Sequence, residues 1–253
     1  MHEDLEVEFG TYSEWLVEAM THLEPTQLIP AACRGTGRPE LFERIADALH
    51  IRADSVVLDL GSGLGGPAAW LMSDRGCRVI GTDLMEAEVR ASARIFPGFR
   101  GVVGAGERLP WADGSFDAAW ILGVIELVSD RKQVMAEIGR VLKARSRVAI
   151  YGFFATDSPF THGPTANRFG SPQELMRELE EGGVQIVSAA PVIPGPPPAG
   201  WRAAIESVRS EVNRRHAGDA RLTLVQAQIT NFNGLRTSDR ITDWLIVGEK
   251  GAQ

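Results

Sequence analysis

Val56-Val57-Leu58-Asp59-Leu60-Gly61-Ser62-Gly63-Leu64-Gly65-Gly66 is the stretch on which the fold turns. A short aliphatic and β-branched run ends in a turn dense in glycine, and an amphipathic segment follows. That is the pattern of a buried strand entering a glycine-rich loop that opens a helix. Glycines accept dihedrals closed to other residues and carry no Cβ, so such a loop lets the backbone approach a ligand closely.

Downstream, strands and helices alternate. Gly65 to Asp74 reads as a helix and Cys77 to Thr82 as a second strand. Glu86 to Phe96 is helical, and Phe99 to Val103 and Phe116 to Leu122 are the third and fourth strands. Asp130 to Lys143 places Val134, Ile138, Val141 and Leu142 on one helical face, and Arg147 to Phe153 is a fifth strand. The basic residues Lys143 and Arg145 to Arg147 flank that strand as a solvated turn. A helix near Pro172 to Glu181 and strands near Val184 to Ala189 and Asp243 to Glu249 complete the pattern. Short apolar strands between amphipathic helices imply a parallel sheet covered on both faces, with ligands at the carboxyl ends of its strands.

Upstream, residues 1–50 form an N-terminal helical segment. Trp15, Leu16, Ala19 and Met20 recur at helical spacing, as do Leu41, Ile45, Ala46 and Leu49, with a loop at Arg34-Gly35-Thr36-Gly37-Arg38-Pro39 between them. Residues 51–253 then form the α/β domain. Within it, 191–240 is an insertion before the last strand, opening on Pro194-Gly195-Pro196-Pro197-Pro198. Trp201, Ile205, Val208 and Val212 mark one amphipathic helix there, and Leu222 to Ile229 a second. An insertion this long in a compact domain is usually functional, which makes it a candidate helical cap over the site.

Gly61, Gly63 and Gly66 also satisfy G-x-G-x-x-G, the nicotinamide dinucleotide fingerprint. Asp83 closes the second strand 22 residues after Gly61, where a carboxylate can accept the ribose hydroxyls of an adenosine in either class of cofactor. Three features fit a dehydrogenase poorly. Asp59 extends the motif to Asp-x-Gly-x-Gly-x-Gly through Gly65, and about 50 helical residues precede it. The third is the run Gly104-Ala105-Gly106-Glu107-Arg108-Leu109-Pro110-Trp111-Ala112-Asp113-Gly114-Ser115-Phe116-Asp117-Ala118-Ala119-Trp120.

Asp59 to Gly65, Asp83, Leu109 to Asp117 and Leu122-Gly123-Val124-Ile125-Glu126 resemble class I S-adenosylmethionine-dependent methyltransferases, most of all the ubiquinone and menaquinone biosynthesis group. The resemblance covers roughly residues 50 to 155. It implies a Rossmann-like, doubly wound α/β fold with a seven-stranded sheet whose last strand is antiparallel, and S-adenosylmethionine as cofactor. By this resemblance Asp59 belongs to the cofactor motif, and Gly61, Ser62 and Gly63 face the methionine part of the cofactor. Asp83 binds the ribose, Leu84 or Met85 packs on the adenine, Gly106 and Glu107 lie along the adenine edge, and Leu122 sits beside the methionyl group. Two positions depart from the pattern. Ala105 stands where many relatives carry an acid for the adenine amino group, so that contact is either missing or supplied by Glu107. Leu127 stands where many carry His.

Methyl transfer from a sulfonium is an in-line displacement with a good leaving group, so alignment and exclusion of water supply much of the catalysis. A hydroxyl acceptor also needs a base. The candidates are His162, after the fifth strand, and Glu126, after the fourth. The acceptor is expected to be a small molecule, with an O, N or C nucleophile equally open. Two other readings remain open on the sequence: a methyltransferase-fold protein that binds the cofactor for other chemistry, and a nicotinamide-dependent oxidoreductase.

Composition narrows the setting. The chain has 253 residues, 44% hydrophobic and 23% charged, with a formal net charge of −7. An acidic chain without a basic face lacks the electrostatic footprint of a nucleic-acid binder. The acidic N-terminus has no apolar leader core, and no apolar run approaches the roughly 20 residues of a membrane helix. Cys33 and Cys77 are the only cysteines, a usage that fits a reducing cytoplasm. No metal-ligand cluster is evident.

Overall fold

The computed structural model describes residues 6–34, 38–163, 165–193 and 195–252. The expected loop at Gly35-Thr36-Gly37, Pro164 beside His162, and Pro194 of the proline run lie outside the described residues.

Seven strands form one sheet: β1 (Val56–Leu60), β2 (Arg78–Asp83), β3 (Arg100–Val103), β4 (Phe116–Leu122), β5 (Leu142–Ala155), β8 (Val184–Pro191) and β9 (Ile241–Lys250). Their order is β3-β2-β1-β4-β5-β9-β8. The pairs from β3 across to β5 are parallel, and β9 runs antiparallel to both its neighbours, as the resemblance implies. The strand order reverses beside β1, so the crevice at a topological switch point falls at the carboxyl end of β1.

On one face, α3 (Pro39–Ala48) and α4 (Gly66–Arg75) bury Phe42, Ile45, Ala68 and Leu71 against Val57, Trp120 and Tyr151. On the other, α6 (Arg131–Val141) and α7 (Pro172–Glu181) bury Val134, Ile138, Leu175 and Leu179 against Leu58, Ile121 and Ile150. Both helices are capped. The Asp130 carboxylate accepts from Gln133 N at 3.0 Å, and Ser171 and Glu174 form a reciprocal capping box. Cys33 and Cys77 are both buried.

The helices outside the sheet share a third core. α1 (Tyr12–Met20) and α2 (Pro25–Ala32) pack with α8 (Ala199–Arg215) and α9 (Ala220–Thr237) through Trp15, Leu16, Ala31, Val208, Val212, Leu222 and Val225. Leu64 of the glycine loop belongs to this core. His216 stacks on Trp15 with ring centroids 3.9 Å apart. Among the described residues no helix is long and apolar enough to cross a membrane.

Within the expected helical segment, α2 forms despite Pro30 in its interior, its start set by Pro25 and by a capping box between Glu24 and Gln27. Two features depart from the sequence reading. A two-stranded hairpin, β6 (Phe160–His162) with β7 (Asn167–Phe169), replaces the expected loop after β5. The basic residues at 143–147 are not a freely solvated turn: β5 begins at Leu142, and the register shifts opposite Phe116 and Ala118. Lys143 pairs with Asp117 at 2.6 Å, and Arg147 bridges Glu249 and the carbonyl of Ala48.

Candidate functional site

The glycine loop continues β1 and holds its glycines for different reasons. Gly61 has φ +75°, and any Cβ there would land 2.4 Å from Val124 Cγ2, just past β4. A Cβ on Gly66 would lie 2.6 Å from the Ala32 carbonyl carbon, because the end of α2 seats on the start of α4. Gly63, with φ +50°, is different. Its Cβ position meets only Glu88 Oε2, at 3.8 Å, so this side of the loop is open. The N–H groups of Gly61 and Ser62 both donate to the Thr82 carbonyl, at 2.8 and 3.1 Å. The Ser62 hydroxyl lies against Gly81 of β2, not on the open side of Gly63. The loop thus offers close backbone approach rather than a cradle of free N–H groups.

Three carboxylates surround it. Asp83 accepts from Gly63 N at 2.9 Å and from Met85 N at 3.0 Å, and burial still raises its pKa. Asp59 is 2% exposed; burial pushes it up to about 7, opposed by Trp120, its register neighbour on β4, and its Oδ2 has no hydrogen-bond partner. The third is Glu88, on α5 (Glu86–Ile95), which sequence reasoning missed. It is 1% exposed, and burial pushes its pKa to about 7 against the neighbouring Arg34. Glu88 Oε1 accepts from Ser13 Oγ and Arg34 Nη1, each at 2.6 Å, while Oε2 has no partner. Arg34 also donates to the Glu8 carbonyl at 3.0 Å and lies over the Phe9 ring at 4.8 Å. One sequence signal was available: Glu88 falls on the helical face that carries Ala91, Ser92 and Ile95, an acid on a buried stripe.

On the far side of Asp83, Leu84 is 59% exposed and Met85 half-buried. Gly106 is packed closely by Val134 and Leu60, and the Glu107 carbonyl accepts from Gln133 Nε2 at 3.2 Å. Ala105 is half-buried beside them. Leu122 is buried at the end of β4.

A second group gathers at the ends of β4, β5 and β9. Glu126 lies on the single turn Ile125–Leu127, 5% exposed. Burial, with the nearby Asp243, pushes its pKa to about 7 against the N–H groups of Glu126 and Phe153, and its Oε2 has no partner. The buried Asp243 carboxylate accepts from the Tyr151 hydroxyl and pairs with Arg236 of α9 at 2.9 Å. These three residues were not legible as a set, since they stand on separate elements. Aromatic rings adjoin them: Phe153 with Phe232 at 4.7 Å between centroids, Phe169 with Phe232 at 6.2 Å, and Phe160 with Phe169 at 5.1 Å. His162 is half-buried on β6, in register with Asn167. Among the described residues no group of three or more His, Cys, Asp or Glu could hold a metal ion.

Residues 58–150, containing the loop, Asp83 and Glu126, match a family model described as a methyltransferase domain. That segment, a little over a third of the chain, is similar to the methyltransferase domain family. The chain is 32% identical over 165 residues to a glycine/sarcosine/dimethylglycine N-methyltransferase of Actinopolyspora halophila, covering 60% of this chain and 29% of that one. It is 36% identical over 118 residues to a demethylmenaquinone methyltransferase of Beutenbergia cavernae, covering 46% and 49%. The chain thus spans about half or less of the length of these curated relatives. In fold it is similar to the [4+2]-cyclase SpnF, with a TM-score of 0.68 and 19% identity over 85% of this chain and 81% of that one. The dinucleotide reading of Gly61, Gly63 and Gly66 finds no support in these matches.

Proposed function

We propose that the protein transfers a methyl group from S-adenosylmethionine to a small-molecule acceptor, whose nucleophilic atom is O, N or C. One observation carries this reading: the open side of Gly63 faces the buried, unpartnered Glu88 Oε2, while Asp83 bonds to Gly63 N, at the switch point of the sheet. Buried polar atoms are almost always satisfied, so an orphan acceptor there suits a ligand rich in donors. The ribose hydroxyls and the ammonium of S-adenosylmethionine are such donors, and the site fits them. When bound, the cofactor supplies a methyl group on a cationic sulfur, open to in-line attack.

In this reading Gly61, Ser62 and Gly63 admit the methionine part, and Asp83 orients the ribose, with Asp59 beneath the loop. Leu84 or Met85 and Gly106 bound the adenine, Glu107 takes the place of the acid absent at Ala105, and Leu122 flanks the methionyl group. Residues 191–240 act as a helical cap. Phe232 and Arg236 bring it to the ends of β5 and β9, where Phe153, Phe160 and Phe169 give the acceptor an apolar, dry wall. Excluding water there favours the displacement. Of the two candidate bases Glu126 is the better placed, because its free Oε2 and raised pKa suit it to take a proton from an acceptor N–H or O–H. His162 is the alternative, at the hairpin end. We place the protein in the cytoplasm, on its cysteine usage, and assign it no nucleic-acid partner, on its acidity.

The test is incubation with methyl-labelled S-adenosylmethionine and a metabolite extract. Label in an extracted small molecule, with release of S-adenosylhomocysteine, is the expected result. A protein that binds the cofactor but transfers no label to any extract would overturn the assignment.

A further inference from the structure

Glu88 is the one buried acid beside the loop whose role the family motifs do not account for. It stands five residues past Asp83, and its two oxygens have different neighbours. Oε1 is saturated by Ser13 and Arg34, from the N-terminal helices. Oε2 is unpartnered although the residue is 1% exposed, and it faces the open side of Gly63, 3.8 Å from the position a Cβ would take. Burying a carboxylate costs several kcal/mol unless it is paired and hydrogen-bonded. Arg34 supplies the pairing, which leaves one acceptor aimed at the space beside Gly63.

Asp83 reaches the same residue, through its bond to Gly63 N, and already spends one oxygen on Gly63 and the other on Met85. A single carboxylate so occupied is a crowded acceptor for two adjacent hydroxyls. A second one within reach of Gly63 relieves that. Resting on the cofactor assignment above, we infer that Glu88 Oε2 accepts a hydrogen bond from a ribose hydroxyl of bound S-adenosylmethionine, as a second carboxylate beside Asp83. The chain thereby recognises the vicinal diol with two acids, and the N-terminal helices, through Ser13 and Arg34, hold one of them in place.

Titration calorimetry with S-adenosylhomocysteine, 5′-methylthioadenosine and its 2′,3′-dideoxy counterpart tests this. Glu88→Gln is expected to weaken the first two ligands by a similar factor, on the order of tenfold, the size of one hydrogen bond to a charged group. Against the dideoxy compound the same substitution should cost nothing, because the coupling partner is gone. Glu88→Asp, which retracts the carboxylate by one methylene, should repeat the pattern, and melting curves without ligand confirm that each variant is folded. Three outcomes overturn the inference: unchanged affinities, a loss confined to S-adenosylhomocysteine (which would assign Glu88 to the ammonium), or an equal loss with the dideoxy compound (which would make it a structural prop). Failure of the wild-type protein to bind S-adenosylhomocysteine at all would instead strike the parent assignment.

Discussion

Phe232 of α9 meets Phe153 of β5 edge-on, with ring centroids 4.7 Å apart and planes at 88°. Four residues further along α9, Arg236 pairs with Asp243, the register partner of Phe153 on β9. One helix outside the sheet is thus pinned to the strand ends by an aromatic edge and by a cation. This geometry sets what substitutions there should do.

Phe232→Ala removes the ring contact from a half-buried position. The loss should be about 1–2 kcal/mol, below the range for fully buried rings, read as a lowered denaturant midpoint. S-adenosylhomocysteine affinity should stay within threefold, while kcat/KM for the acceptor falls. An unchanged acceptor KM and kcat would remove Phe232 from the acceptor wall.

Asp83→Ala removes the acceptor of two backbone N–H bonds and the expected ribose contact. Hydrogen bonds to a charged group contribute about 1.5–3 kcal/mol each, so calorimetry should show at least a tenfold loss of S-adenosylhomocysteine affinity in a folded protein. Wild-type affinity would dismiss Asp83 as a ligand.

Gly63→Val puts a branched side chain where φ is +50° and where the loop is open. The left-handed backbone costs a non-glycine residue about 1–2 kcal/mol. The far-UV spectrum should hardly change, but cofactor binding should be lost. Normal binding by this variant would make the glycine turn purely structural.

Asp59, Glu88 and Glu126 are each held near pH 7, above their unfolded values. The folded chain therefore keeps protons that the unfolded chain has released, and stability from these groups is full below about pH 4 and lost as pH rises through 7. Without ligand, the denaturant midpoint should decline between pH 5 and pH 8. Glu126→Gln, which cannot titrate, should flatten that decline; an identical slope would show that Glu126 does not carry it.

The sheet was legible because its strands are short apolar runs punctuated by glycine, a period the sequence displays directly. The ends of β4 and α7 are found where the pattern puts them. The α2 helix lies within the helical segment expected over residues 1–50, held despite Pro30 by tertiary packing and the Glu24 cap. Asp59, Gly63 and Asp83 were legible because they stand on one strand–loop–strand unit with fixed spacing. Glu88 was legible only as an acid on a buried helical stripe, and its partners Ser13 and Arg34 could not be read, since that cluster joins segments 75 and 54 residues apart. Likewise Tyr151 and Asp243 meet only across the β5–β9 register.

The helical core shared by α1, α2, α8 and α9 has a consequence for biosynthesis. α1 and α2 cannot pack Trp15, Leu16 and Ala31 against α8 and α9 until residues 199–237 have been made, after nearly the whole sheet. Pairings this distant along the chain close late, since their loop entropy is spent before the contacts reward it. These two helices must therefore wait with part of an apolar face exposed, the condition under which aggregation and chaperone capture occur.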